Sequence, residues 1–106
     1  MDLDQKLIEE IVGRILAVTL ADRIIIFGSA ATSSMTQDSD IDLLVLKSAP
    51  DNPRRESVQV RRALSGLGYP FDITVMATER FDESKGVIGG IAFPANKYGK
   101  VIYEAD

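Results

Sequence analysis

Asp42 is followed by Leu43, Leu44, Val45 and Leu46, and Asp72 is set into Phe71-Asp72-Ile73-Thr74-Val75. Both carboxylates interrupt apolar runs of the kind that form β-strands, where Asp is disfavoured and an unpaired buried carboxylate is costly. Asp40 lies two positions before Asp42. Alternation along a strand puts these two on one face, with α-carbons roughly 6.7 Å apart. Carboxylates that close repel each other unless a cation or a proton intervenes. The nearest basic residue in sequence is Lys47, so a hard divalent cation is the natural counter-charge. If the strand carrying Asp72 lies beside the one carrying Asp42, three carboxylates converge, a set that suits two metal ions. The plainer reading, in which each Asp caps an exposed strand edge, accounts for any one of them better than for all three. A calcium loop opening at Asp38 fails, because its sixth position is Leu43 instead of Gly and its twelfth is Ala49 instead of Glu.

What the chain lacks narrows the chemistry further. It contains neither Cys nor His. Disulfides, thiolate nucleophiles and cysteine zinc sites are excluded, as are the commonest general base and the commonest transition-metal ligand. Any reaction must run on carboxylates, hydroxyls, amines and oxygen-bound cations. A net charge of -4 argues against direct binding to duplex DNA, which depends on Lys and Arg neutralising phosphates. It leaves room for a nucleotide whose phosphates arrive with a metal ion. At 106 residues, 45% of them hydrophobic, the chain reads as one domain over residues 1–106. No apolar run approaches the roughly 20 residues that span a bilayer, and the amino terminus lacks a secretory layout. A cytoplasmic location is the expectation.

The elements that must position the aspartates follow from periodicity. Ile8, Ile11, Ile15 and Val18 recur at helical spacing, which predicts a helix over 2–18 with Asp2 as its cap and Gln5 reaching back to it. Gly13 weakens that helix by about 1 kcal/mol relative to Ala. Arg23 to Phe27 is short, β-branched and apolar and ends at Gly28, as a buried strand does on entering a turn. Residues 29–39 are small and polar, enough for a loop and a helical turn. A second strand is expected over Ile41 to Leu46, then a helix over 53–66 capped by Asn52 with Pro53 in its first position. A third strand covers Phe71 to Met76. A weak helix over 79–90, a short one restarting at Pro94 and a last strand over Lys100 to Tyr103 complete the chain. This order implies an α/β (α+β) layer fold with a mixed sheet flanked by helices. The connection from the second strand to the third is long enough for a parallel crossover; the relative direction of the first two stays open.

Gly28-Ser29, at the end of the first strand, offers close backbone approach, N–H groups and a hydroxyl to a phosphate, although most Gly-Ser pairs are plain turns. Together, Phe27-Gly28-Ser29, Ser39-Asp40-Ile41-Asp42-Leu43-Leu44-Val45 and Phe71-Asp72-Ile73 resemble the minimal nucleotidyltransferase family, small members of the DNA polymerase β-like superfamily. The ending Tyr98-Gly99-Lys100-Val101-Ile102-Tyr103-Glu104 is similar to theirs as well. The resemblance implies a polymerase β-like fold. It further implies that Gly28 and Ser29 contact a nucleoside triphosphate, ATP or another, with AMP transferred when it is ATP. Asp40 and Asp42 would bind two Mg²⁺ ions (Mn²⁺ being an alternative), and Asp72 would share the second ion and help deprotonate an acceptor hydroxyl. One departure stands out: Thr32 and Ser33 occupy the positions where the family commonly has Arg and Gly after Gly-Ser-x-Ala.

The resemblance also implies a partner. Many short family members resemble the antitoxin half of a toxin–antitoxin pair, binding a HEPN-type ribonuclease and placing AMP on one of its tyrosines. Three readings follow: an enzyme that adenylylates such a partner, an antitoxin that acts by contact alone, and a nucleotidyltransferase subunit acting on a small molecule. One local feature is compatible with a partner. On the helix after Pro53, Arg54, Arg55, Arg61 and Arg62 fall within about a 100° arc opposite Val60, Leu64 and Leu67. Such a face is either solvated or a basic patch for an acidic partner or RNA.

Overall fold

The structure, a computed structural model, describes residues 4–28 and 39–105. Helix α1 runs Gln5–Val18. Its cap is Asp4, whose Oδ1 accepts from the Lys6 amide at 2.8 Å, so Gln5 opens the helix instead of reaching back to a cap. Asp2 lies outside the described residues. Gly13 sits within α1 on its exposed side, where its small size breaks nothing. Strand β1 is Arg23–Phe27, β2 is Ile41–Lys47 and β3 is Phe71–Ala77.

Between β2 and β3, helix α2 spans Pro53–Ala63. Asn52 caps it by accepting from the Arg55 amide at 3.1 Å, and Pro53 stands at the start, as its fixed φ and missing N–H favour. The helix stops short of the expected residue 66. Leu64 is its cap and Gly66 and Gly68 adopt positive φ, which side-chain-bearing residues rarely do. After β3, α3 is Thr78–Ser84, shorter than the stretch expected over 79–90 because the glycines beyond Lys85 end it. Helix α4, Ala92–Tyr98, begins two residues before Pro94, which is tolerated in a first turn where its missing N–H has no partner to lose. Strand β4 is Lys100–Glu104.

The four strands form one mixed sheet in the order β3-β2-β1-β4. β1 is antiparallel to both β2 and β4, while β2 and β3 are parallel through the α2 crossover. This is the α+β layer fold with a mixed sheet that the element order implied, and it fixes the direction of β1 against β2.

Each face of the sheet has its own cover. Ile41, Leu43 and Val45 of β2, with Phe71 and Val75 of β3, pack with Ile11 and Ile15 of α1 and Val60 and Leu64 of α2. On the other face Ile25, Leu44 and Leu46 pack with Phe81 of α3 and Ala92 and Ala95 of α4. Gly99 links α4 to β4 where there is no room for a side chain. A Cβ there would strike the Ala95 carbonyl oxygen and come within 2.7 Å of Ile25 Cγ2.

Candidate functional site

Parallel pairing of β2 and β3 sets Asp42 directly beside Asp72, with Leu44 beside Thr74 and Leu46 beside Met76 on the same face. The two carboxylates therefore lie on one side of the sheet. Asp40 precedes β2 by one residue, and the Ile41 amide donates to the Pro70 carbonyl at 2.9 Å, which extends the ladder back toward it. Asp40 and Asp72 are exposed and Asp42 is half-buried.

The electrostatics of the group record their proximity. Asp42 has its carboxyl pushed above the ordinary value of 3.8, first by burial and then by the negative charges of Asp72 and Asp40. A hydrogen bond between the Asp42 and Asp72 carboxyls adds to the shift, since such a bond needs a proton on one of them. None of the ion pairs among the described residues involves Asp40, Asp42 or Asp72. The sheet thus holds neighbouring carboxylates with no basic partner among the described residues. Among the described residues no group of three or more is gathered tightly enough to hold a metal ion as it stands. Asp40 acts on Asp42 through its charge, and like charges without a counter-cation do not close up further.

Gly28 follows the end of β1, whose last residue Phe27 pairs with Asp42. It has φ +70, and a Cβ at this position would collide with Oδ2 of Asp42. The close approach that glycine permits here is to a group other than the phosphate expected from the sequence: the Asp42 carboxylate. Ser29, Thr32, Ser33 and Asp38 lie outside the described residues.

The donor chemistry of the site is hard oxygen throughout, two carboxylates in register and a third within Coulombic reach. That set fits Mg²⁺ or Mn²⁺ and offers nothing to softer metals. A recess of about 300 Å³, lined in part by Met76, Arg80, Ser84 and Ile91, opens where β3, α3 and the α3–α4 connection meet. Met76 shares the face of β3 that bears Asp72. Arg80 and Ser84 carried no signal in sequence, since their helix is short and without a motif.

The fold has counterparts among known proteins. A model of the family described as polymerase beta, nucleotidyltransferase, matches residues 9–106. A toxin–antitoxin structure with AMP-PNP superposes at a TM-score of 0.71 and 18% identity, covering 92% of this chain and 73% of that one. A mutant MntA–HpeT toxin–antitoxin structure gives 0.69 at 16% identity, covering 92% and 73%. A Shewanella oneidensis complex of tri-AMPylated HEPN toxin with MNT antitoxin gives 0.65 at 17% identity, covering 97% and 74%. These likenesses show the fold. No curated protein matches. With the family model reaching from α1 to the last residue, the chain belongs to the polymerase beta nucleotidyltransferase family, the superfamily that includes the minimal nucleotidyltransferases its motifs resemble.

Proposed function

We propose that this protein is an antitoxin-type nucleotidyltransferase that moves AMP from ATP to a hydroxyl group on a HEPN-type partner protein. The observation that carries the reading is the register of Asp42 with Asp72 on one face, with Asp40 close enough to raise the Asp42 carboxyl. Family membership and the toxin–antitoxin neighbours, one with AMP-PNP and one with an AMPylated toxin, support the reaction and partner class.

In this reading Asp40 and Asp42 hold two divalent ions, Mg²⁺ or Mn²⁺, and Asp72 shares the second. Bound there, the ions would stabilise negative charge on the entering and leaving oxygens of an in-line displacement. Gly28 and Ser29 contact the triphosphate. The acceptor oxygen forms a bond to the α-phosphorus as the bond from that phosphorus to the bridging oxygen breaks, and pyrophosphate leaves. Asp72 takes up the proton of the acceptor hydroxyl. The rise in the Asp42 carboxyl, caused first by burial and then by its acidic neighbours, suits this assignment, because a cation would offset both the lost solvation and the repulsion.

A second reading has one observation in its favour: Thr32 and Ser33 stand where the family commonly has Arg and Gly. In that reading the protein neutralises its partner by contact, without turnover. Incubation with labelled ATP, Mg²⁺ and a co-encoded HEPN-type protein separates the two. Catalysis requires label on the partner and a loss of 100-fold or more in Asp40→Asn and Asp42→Asn, on the order seen when one transition-state-stabilising group is removed. Partner inhibition that persists undiminished in both variants, with no label transferred, rejects the enzyme reading.

A further inference from the structure

We propose that the outward face of α2 is a docking surface for an acidic protein, one that presents an apolar residue ringed by carboxylates. The face lies across the sheet from the aspartates, on the side covered by α1 and α2, and is independent of the catalytic reading.

Arg54, Arg55, Arg61 and Arg62 are all exposed. Among the described residues none of them enters an ion pair. That is a third of the chain's 12 basic residues gathered on one helix face in a protein of net charge -4. Of the other eight basic residues, Arg14, Arg23, Lys47 and Lys85 have a carboxylate partner. Lys6, Arg80, Lys97 and Lys100, which enter no ion pair among the described residues, are spread over separate elements. What sets α2 apart is that its four unpaired charges share one face. Arg54 and Arg61, like Arg55 and Arg62, are two helical turns apart, about 10.5 Å along the axis, so the four charges make one basic surface that an acidic partner would complement.

Val58 decides the class of partner. It is three or four residues from each of the four arginines, so helical geometry places it at the centre of their arc, and it is half-buried. Beside this arc a shallow groove of about 510 Å³ runs between α1 and α2, lined by Val18, Gln59, Arg62 and Ala63. Val18 is 46% exposed and Leu20, just beyond α1, is 86% exposed. Apolar residues within and beside a charged ring match a protein interface, with a desolvated centre and a polar rim. They offer nothing to a phosphate backbone, and the chain's overall negative charge opposes a polyanion.

The test uses two synthetic helical peptides and one RNA. The first peptide carries a leucine surrounded by four glutamates, the second has lysines in place of those glutamates, and the RNA is a single-stranded 20-mer. Binding is read by fluorescence anisotropy at low and high salt. The glutamate peptide is expected to bind at least about tenfold more tightly than the lysine peptide and to weaken with salt. Its binding is expected to vanish in R55E/R62E and R54E/R61E, to fall in V58E, and to persist in D42N; circular dichroism verifies folding of each. Persistence in D42N separates this surface from the catalytic site. The proposal is overturned if the RNA binds as tightly as the glutamate peptide and loses that binding in the same variants. It is equally overturned if neither probe binds, or if peptide binding survives reversal of the arginines.

Discussion

The two faces of the sheet put the same strands to opposite uses. Along β2, Ile41, Leu43 and Val45 enter a continuous apolar layer under α1 and α2. Their alternate neighbours start as Leu46 and Leu44, packed with Phe81 of α3, and end as Asp42. β3 repeats the gradient beside it, from Met76 through Thr74 to Asp72. On the first face helical cover reaches the full length of the strands. On the second the apolar packing gives way to carboxylates. A period of two lets a small sheet anchor itself with one set of side chains and hold reactive groups with the next. Rigidity at Asp42 is supplied by the Leu43 that adjoins it in sequence and points the other way.

The sharpest way to break the contrast is to exchange roles between the faces. Leu43→Ala removes a fully buried side chain from the packed layer and is expected to cost about 2–5 kcal/mol in urea denaturation. Asp42→Asn, one residue away, should cost no stability. If instead Asp42→Asn unfolds the protein as readily as Leu43→Ala, the second face is structural and the division between the two fails.

A smaller effect is expected where charge meets the packed face. Lys47 closes β2 on the same alternation as Leu43 and Val45, and its ammonium donates to Glu56 of α2 and to Thr19 Oγ1 at 3.1 Å. Lys47 and Glu56 are largely shielded, with side-chain exposures of 20% and 13%. Lys47→Met strands the Glu56 carboxylate and should destabilise by about 1–3 kcal/mol. Adding Glu56→Gln to it should recover part of that loss. A double variant as unstable as the sum of the singles would show that the pair is not coupled.

Gly28→Ala sharpens the comparison from the site side. The residue has φ +70, which costs an L-residue about 1–2 kcal/mol, and the new methyl would displace the Asp42 carboxylate. Transfer activity should therefore fall further than stability does. Gly99→Ala has the reverse signature, since its methyl would strike backbone and Ile25 in the packed interior. Equal losses of activity per folded molecule in the two variants would contradict the assignment of Gly28 to the site.

Much of this was legible in the residues themselves. β1 matches its apolar run, and β2 and β3 extend one residue past theirs, because a buried strand leaves a dense β-branched signature. The shared face of Asp42 and Asp72 was readable because each breaks such a run at an alternating position. Helix ends were less legible. Asp2 and Asp4 are equally good caps in composition, and the structure uses Asp4. α3 buries a single residue, Phe81, and carries no apolar stripe of its own, so periodicity could not mark its extent. The direction of β1 against β2 depends on a connection whose composition permits either. The contact between Gly28 and Asp42 is tertiary, and no local pattern encodes it.

The finest difference between the faces is one of protonation. Asp42 has its carboxyl raised above 3.8 in the folded chain by burial and by its acidic neighbours. A raised carboxyl holds its proton more tightly when folded, so the stability it contributes is present below the unfolded value and lost as pH rises through the folded one. In chelator, the melting temperature of the protein should fall as pH climbs from about 3.8 through the raised value, whereas Asp42→Asn should lack that decrement. If Mg²⁺ binds here as proposed, it would compete for the same oxygens as the proton, so the stabilisation it confers should grow over the same pH window and be absent in Asp42→Asn. A melting curve in which Asp42→Asn keeps both the pH decrement and the Mg²⁺ response would place the charge that matters somewhere other than this end of the sheet.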